Sequence, residues 1–180
     1  MAIVIAPMAR YFFDFEFLDR GQQVDIISLG ICADDGRGYY AVRAGFDQLP
    51  LTPWLMENVV PKLPWDGELT RYVRTLDQMA QEVRQFVIGA YPEFWGACVA
   101  YDWYLLCSLF GGMLQKPDWW PHYANDVHQL IRQVGGRPPG WPKADPALEH
   151  NAFYDAIDTR NKWQVMHNHL QSRGNVLITI

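Results

Sequence analysis

Four acids and one histidine stand where their chemistry attracts notice. Asp14 and Glu16 interrupt an aromatic run, Tyr11-Phe12-Phe13-Asp14-Phe15-Glu16-Phe17. Along an extended strand, residues two apart project to the same side, so both acids share one face and Phe13, Phe15 and Phe17 the other. Asp102 lies in the first turn of an otherwise apolar helical stretch, Val99-Ala100-Tyr101-Asp102-Trp103-Tyr104. His150 precedes a helical segment, and Asp155 follows it by five residues. Each has a plain structural reading: an edge strand with its acids in water, a first-turn acid favoured by the helix dipole, a structural histidine whose companion Asp155 is a capping or first-turn acid. Taken together, four carboxylates that converge would suit Mg2+, which prefers oxygen ligands. Two such ions can clamp the attacking and leaving oxygens of a phosphodiester. An imidazole, which titrates near neutrality, suits the removal of a proton from the attacking water.

The elements that must position these groups follow from the apolar pattern. Residues 10–17, 24–33 and 39–44 read as three strands of an antiparallel meander, with a turn at Asp34-Asp35-Gly36-Arg37-Gly38. Residues 45–67 hold four prolines and two tryptophans, a surface excursion with one short helix over 55–60. Apolar residues at 73, 76, 79, 80, 83 and 87 predict an amphipathic helix over 70–87. A fourth strand is expected at 93–97, a buried helix at 100–110, a fifth strand near Tyr123-Ala124, a short helix from Asp126 to Ile131, and a long one over 151–172. The Gly- and Pro-rich residues 135–146 read as a loop leading to His150, one that would order on substrate. The apolar tail Val176–Ile180 would pair as a strand or pack against a partner. The expected fold is an α/β domain over residues 1–180, with a mixed five-stranded sheet flanked by helices.

Composition narrows the function. The chain has 180 residues, 49% hydrophobic and 19% charged, as in ordinary globular proteins. A net charge of -5 argues against a protein that coats long duplexes, though not against one that grips a nucleic-acid end. The three cysteines, Cys32, Cys98 and Cys107, have no C-x-x-C spacing and read as buried thiols in a reducing compartment. No apolar run approaches membrane-spanning length, and residues 1–7 do not read as a signal peptide. A soluble, cytoplasmic protein is expected.

The three motifs, in this order, resemble those of the DEDD exonuclease superfamily: D-x-E on the first strand, Asp102 after the fourth strand, and H-x-x-x-x-D opening the last helix. His150 marks the DEDDh branch, which has an RNase H-like fold. The stretches Tyr11–Phe17, Ile26–Gly30, Asp34–Arg37, Tyr39–Val42, Ala100–Asp102 and His150–Ala156 are similar to a small bacterial group of 3'-5' exoribonucleases of mycobacterial type. The resemblance covers about residues 10–163. It implies a two-metal hydrolysis of RNA 3' ends with release of nucleoside 5'-monophosphates, in Mg2+ or Mn2+. Asp14, Glu16 and Asp155 would hold metal directly, with Asp14 bridging, and Asp102 would complete the site. His150 would be the general base, and Phe17 would stack on the terminal base. The backbone at Phe15 and the ring of Tyr101 would also contact substrate. Homodimers are common among such relatives. Single-stranded DNA as substrate, or binding without catalysis, are the alternatives these residues leave open.

Overall fold

The computed structural model describes residues 9–64 and 69–173. The N-terminal residues 1–7, residues 65–67 of the proline-rich stretch and the tail Val176–Ile180, all read above, lie outside the described residues. Six strands form one mixed sheet. They are β1 (Arg10–Asp19), β2 (Val24–Ala33), β3 (Gly38–Arg43), β4 (Val73–Arg74), β5 (Glu93–Gly96) and β6 (Asn125–Asp126), in the order β4-β3-β2-β1-β5-β6. β1 is therefore interior, not an edge strand. It runs antiparallel to β2 from Tyr11↔Ala33 to Asp19↔Val24, with a bulge between Glu16 and Phe17. With β5 it pairs in parallel over only Arg10, Tyr11 and Phe12.

Helices cover both faces, as the alternation of β1 requires. Tyr11, Phe13 and Phe15 join Met79 and Val83 of α3 (Leu76–Phe86) and Trp103, Leu105 and Leu106 of α4 (Ala100–Ser108) in one buried cluster. Phe12 and Cys32, on the opposite face, pack against Ala156, Trp163 and Met166 of α6 (Ala152–Ser172). Buried α6 residues recur at 152, 156, 159, 163, 166 and 170, the stripe expected of a helix lying on a sheet. A third cluster seats the proline-rich excursion on Leu18, Ile27 and Val42 through Phe46, Leu55, Val59 and Leu63. The excursion contains α1 (Pro53–Asn58), with a 3-10 turn before it at Phe46–Gln48 and another after it at Val60–Lys62.

The sheet has one strand more than expected, and its source is the segment read as one helix over 70–87. That segment is a single turn, α2 (Leu69–Tyr72), then β4, then α3. Val73 and Arg74 pair with Val42 and Arg43 at the sheet edge. Helix restarts at Thr75, whose side chain accepts from the Gln78 N–H while Gln78 bonds back to the Thr75 N–H, a reciprocal capping box. The strand expected at Tyr123-Ala124 forms two residues later, at Asn125–Asp126. Asp126 then caps α5 (Val127–Gln133) by accepting from the His128 N–H. No helix among the described residues is long and apolar enough to cross a membrane. Cys32 and Cys107 are buried thiols as expected, whereas Cys98 is exposed, at a left-handed backbone position (φ 56°) just before α4.

Candidate active site

Asp14 and Glu16 point from the middle of β1 toward α6, on the same face as Phe12. Glu16 is buried at 8% exposure, and Asp14 is half-buried. Asp155 reaches them because α6 lands directly on the sheet. Its landing point is Gly30, the β2 residue opposite Asp14. A Cβ at Gly30 would lie 2.3 Å from the Phe153 N and Cα, so only glycine lets the first turn of α6 come this close. Asn151 starts that turn by accepting from the Phe153 and Tyr154 N–H groups. One ligand-competent atom from each of Glu16, His150 and Asp155 lies within 4.8 Å of the others.

Asp102 arrives from the opposite side. Because β5 leaves β1 after Trp95, the Phe15 N–H has no strand partner there, and it donates instead to Asp102 Oδ1 at 2.9 Å. The face of α4 carrying Asp102 is inward, and the carboxyl is 5% exposed rather than turned to water. Gly96 permits the tight exit from β5, since a Cβ there would lie 2.5 Å from Val99. Asp126 steadies the start of α4 by accepting from the Val99 N–H at 3.1 Å.

Asp14 and Asp102 stand outside the tightest group, yet Asp14 feels the other three acids and Glu16 feels Asp155 and Asp102. Burial, then the charges of Asp102, Glu16 and Asp155, raise Asp14 well above its usual range, against some relief from Lys162. Burial, then Asp155 and Asp102, raise Glu16 to about 8. Burial raises Asp102 to about 7 despite the Phe15 hydrogen bond, with Asp126 adding to the rise. Burial likewise raises Asp155 to about 6, against the His150 N–H bond and the nearby imidazole. Four crowded carboxyls that resist ionising together are a poor arrangement for a bare fold and a good one around a divalent cation. The donor set, carboxylate oxygens beside one imidazole, fits a hard ion such as Mg2+ or Mn2+.

His150 occupies a left-handed backbone conformation (φ 68°), and its N–H donates to Asp155 Oδ2 at 2.9 Å. Its ring meets Trp54 edge-on, with centroids 4.9 Å apart and planes at 77°. Just before it, Lys62 Nζ donates to the Pro146 and Ala147 carbonyls. Phe17 is half-buried and stacks on Tyr101 at 5.2 Å and 21°, while the Tyr101 hydroxyl donates to Asp19. The Phe15 ring is core, 6.4 Å from Phe13, so only its backbone can face the site. Gly30, Asp126, Trp54 and Lys62 were not legible as site residues. Glycine and lysine in these contexts look like turn and surface residues until the third dimension is known.

A mixed sheet with two acids on an interior strand, a third from the helix after β5, and a His/Asp pair at the mouth of the last helix is the arrangement that the resemblance to DEDDh exonucleases implies. Over residues 9–167 the sequence matches the family described as the 3'-5' exoribonuclease Rv2179c-like domain. The chain belongs to that family. It is 33% identical over 160 residues to the 3'-5' exoribonuclease Rv2179c of Mycobacterium tuberculosis strain H37Rv, across 87% of this chain and 92% of the relative. The 3'-5' exoribonuclease MT2234.1 of strain CDC 1551 matches to the same extent. Among solved structures, the fold superposes on the zinc-bound E. coli exonuclease I complex with single-stranded DNA. There the TM-score is 0.68 at 13% identity, covering 93% of this chain and 42% of that longer one. Exonuclease I with a dT13 oligonucleotide gives 0.63 at 15% identity, covering 92% and 42%.

Proposed function

We propose that the chain is a metal-dependent 3'-5' exoribonuclease, and that residues 1–180 form one such domain. The observation that supports this best is the meeting of Glu16, His150 and Asp155 within 4.8 Å, beside Asp14 and Asp102, in a chain of this family. In this reading Asp14, Glu16 and Asp155 would hold the cations directly, and Asp102 would complete the site. Bound Mg2+, or Mn2+ in its place, would supply Lewis-acid stabilisation of the charge that develops on the scissile phosphate. Asp102 also keeps the strand in register by holding the Phe15 N–H. His150 accepts the proton of the attacking water, and its N–H bond to Asp155 ties base and acid into one unit.

Phe17 and Tyr101, already stacked, offer aromatic faces at the strand end where a terminal nucleobase would lie. Stacking tolerates any base, as an enzyme that trims successive residues requires. The Phe15 backbone would approach the terminal sugar, and the products are nucleoside 5'-monophosphates. Free, partly buried thiols support a reducing, cytoplasmic setting. A homodimer, as the family resemblance implies, would be checked by sedimentation.

Digestion of matched 5'-end-labelled RNA and single-stranded DNA, with Mg2+ and with chelator, tests the reading. The expected result is a metal-dependent ladder of shortening products, faster on RNA. A faster ladder on DNA would replace the exoribonuclease reading with a DNA exonuclease. Binding without any metal-dependent shortening would replace it with a non-catalytic one.

A further inference from the structure

The proline-rich excursion that packs on the end of the sheet reaches the site at the base. Trp54 is the second residue of α1, and its backbone is firmly held. Thr52 caps the helix by accepting from the Leu55 N–H, Pro53 opens it, and Leu55 and Val59 are buried in the core. Yet its indole is 51% exposed. Among the described residues, this large apolar ring, kept half in water on an anchored turn, meets the His150 imidazole edge to face. At the end of the same excursion, Lys62 Nζ donates to the carbonyls of Pro146 (3.3 Å) and Ala147 (2.6 Å). The Lys62 carbonyl in turn accepts from Asn151 Nδ2 at 2.8 Å. These bonds grip the chain just before and just after His150, whose left-handed backbone needs support from its surroundings.

We propose that residues 53–62 are a bracket for the general base, in which Trp54 positions the His150 ring and Lys62 holds the backbone that bears it. The proposal rests on the reading of His150 as the base. Proton transfer depends steeply on placement, and an error of about 1 Å can cost about 100-fold. The bracket therefore acts on the chemical step and not on substrate affinity.

Kinetics of four single variants and one double variant, with one spectroscopic readout, test it. Trp54→Ala should lower kcat about 10–100-fold with KM within about 3-fold, and Trp54→Phe, which keeps an aromatic edge, should recover most of the loss. In a His150→Ala background, Trp54→Ala should add nothing, because its effect passes through the missing ring. Lys62→Met should lower kcat by a smaller factor, about 5-fold, and speed amide exchange at residues 148–151. In NMR spectra of the metal-free protein, Trp54→Ala should displace the His150 ring resonances and leave His122, His128, His167 and His169 in place. A raised KM with unchanged kcat and unmoved His150 resonances would overturn the bracket and assign Trp54 to the substrate. Full activity of His150→Ala would overturn the reading of the base, while the NMR comparison would still decide whether Trp54 holds the ring.

Discussion

The two helices that bring acids to β1 do so by opposite means. Asp155 comes with α6, which lies so close on the sheet that Gly30 has no room for a side chain. Asp102 comes with α4 where the sheet opens: β5 departs after Trp95, and the carboxylate fills the place of a missing strand bond by accepting from Phe15. One seam depends on close packing, the other on a hydrogen bond across a gap. Packed seams tolerate little change in volume, whereas a polar bridge tolerates a change of charge if an acceptor remains.

Gly30→Ala breaks the packed seam. Its Cβ would meet α6 backbone, which cannot yield locally, so a loss of about 3 kcal/mol and more than about 100-fold in activity is expected from thermal melts and single-turnover rates. At the open seam, Asp102→Ala leaves the Phe15 N–H unpaired, at a cost of about 1–3 kcal/mol by denaturant titration. Asp102→Asn keeps an acceptor and should melt near the wild-type temperature while still losing activity about 10–100-fold. Equal stability of these two Asp102 variants would refute the bridging role. Gly38→Ala sharpens the contrast from the mild side. Its Cβ would meet only the tip of the Phe153 ring, at 2.6 Å, and a ring can turn, so a loss of about 1 kcal/mol is expected.

A pH dependence joins the two seams. Glu16, Asp102 and Asp155 are raised to about 8, 7 and 6, and Asp14 is raised as well. Unfolded carboxyls titrate near 4. Between those limits the folded form binds more protons than the unfolded one, so this contribution to stability is whole below about pH 4 and is lost as pH rises toward 8. The metal-free protein should melt lower at pH 8 than at pH 5. Saturating Mg2+ should recover about 5–10 °C at pH 8 and less at pH 5. Glu16→Gln should flatten the metal-free profile. A metal-free melting temperature that rises from pH 5 to pH 8 would show that the four carboxyls do not crowd one another.

Much of this was legible in the residues because the motifs are local. Asp14 and Glu16 share a face by strand alternation alone, and His150, Asn151 and Asp155 span a single helix start. The meeting of these pieces was not legible. It depends on Gly30 lying opposite Asp14 and on β5 ending at Gly96, both facts of register between distant segments. The helix read over 70–87 failed for a related reason. Apolar spacing runs unbroken across Val73, while the edge of β3 captures Val73 and Arg74 and the Thr75 capping box restarts the helix. The Thr75-x-x-Gln78 pattern was present as a signal; the free strand edge that made it decisive was not. The excursion at 45–64, which looked like loop, proves to be the part that reaches His150.

In the proposed function, acids from both seams serve one cation centre. Titration of Mn2+ at pH 8, followed by calorimetry, tests this in wild type and in Asp102→Asn and Asp155→Asn. Saturable uptake by the wild type is expected, with affinity weakened about 10–100-fold in each variant. Affinity unchanged by either substitution would contradict it.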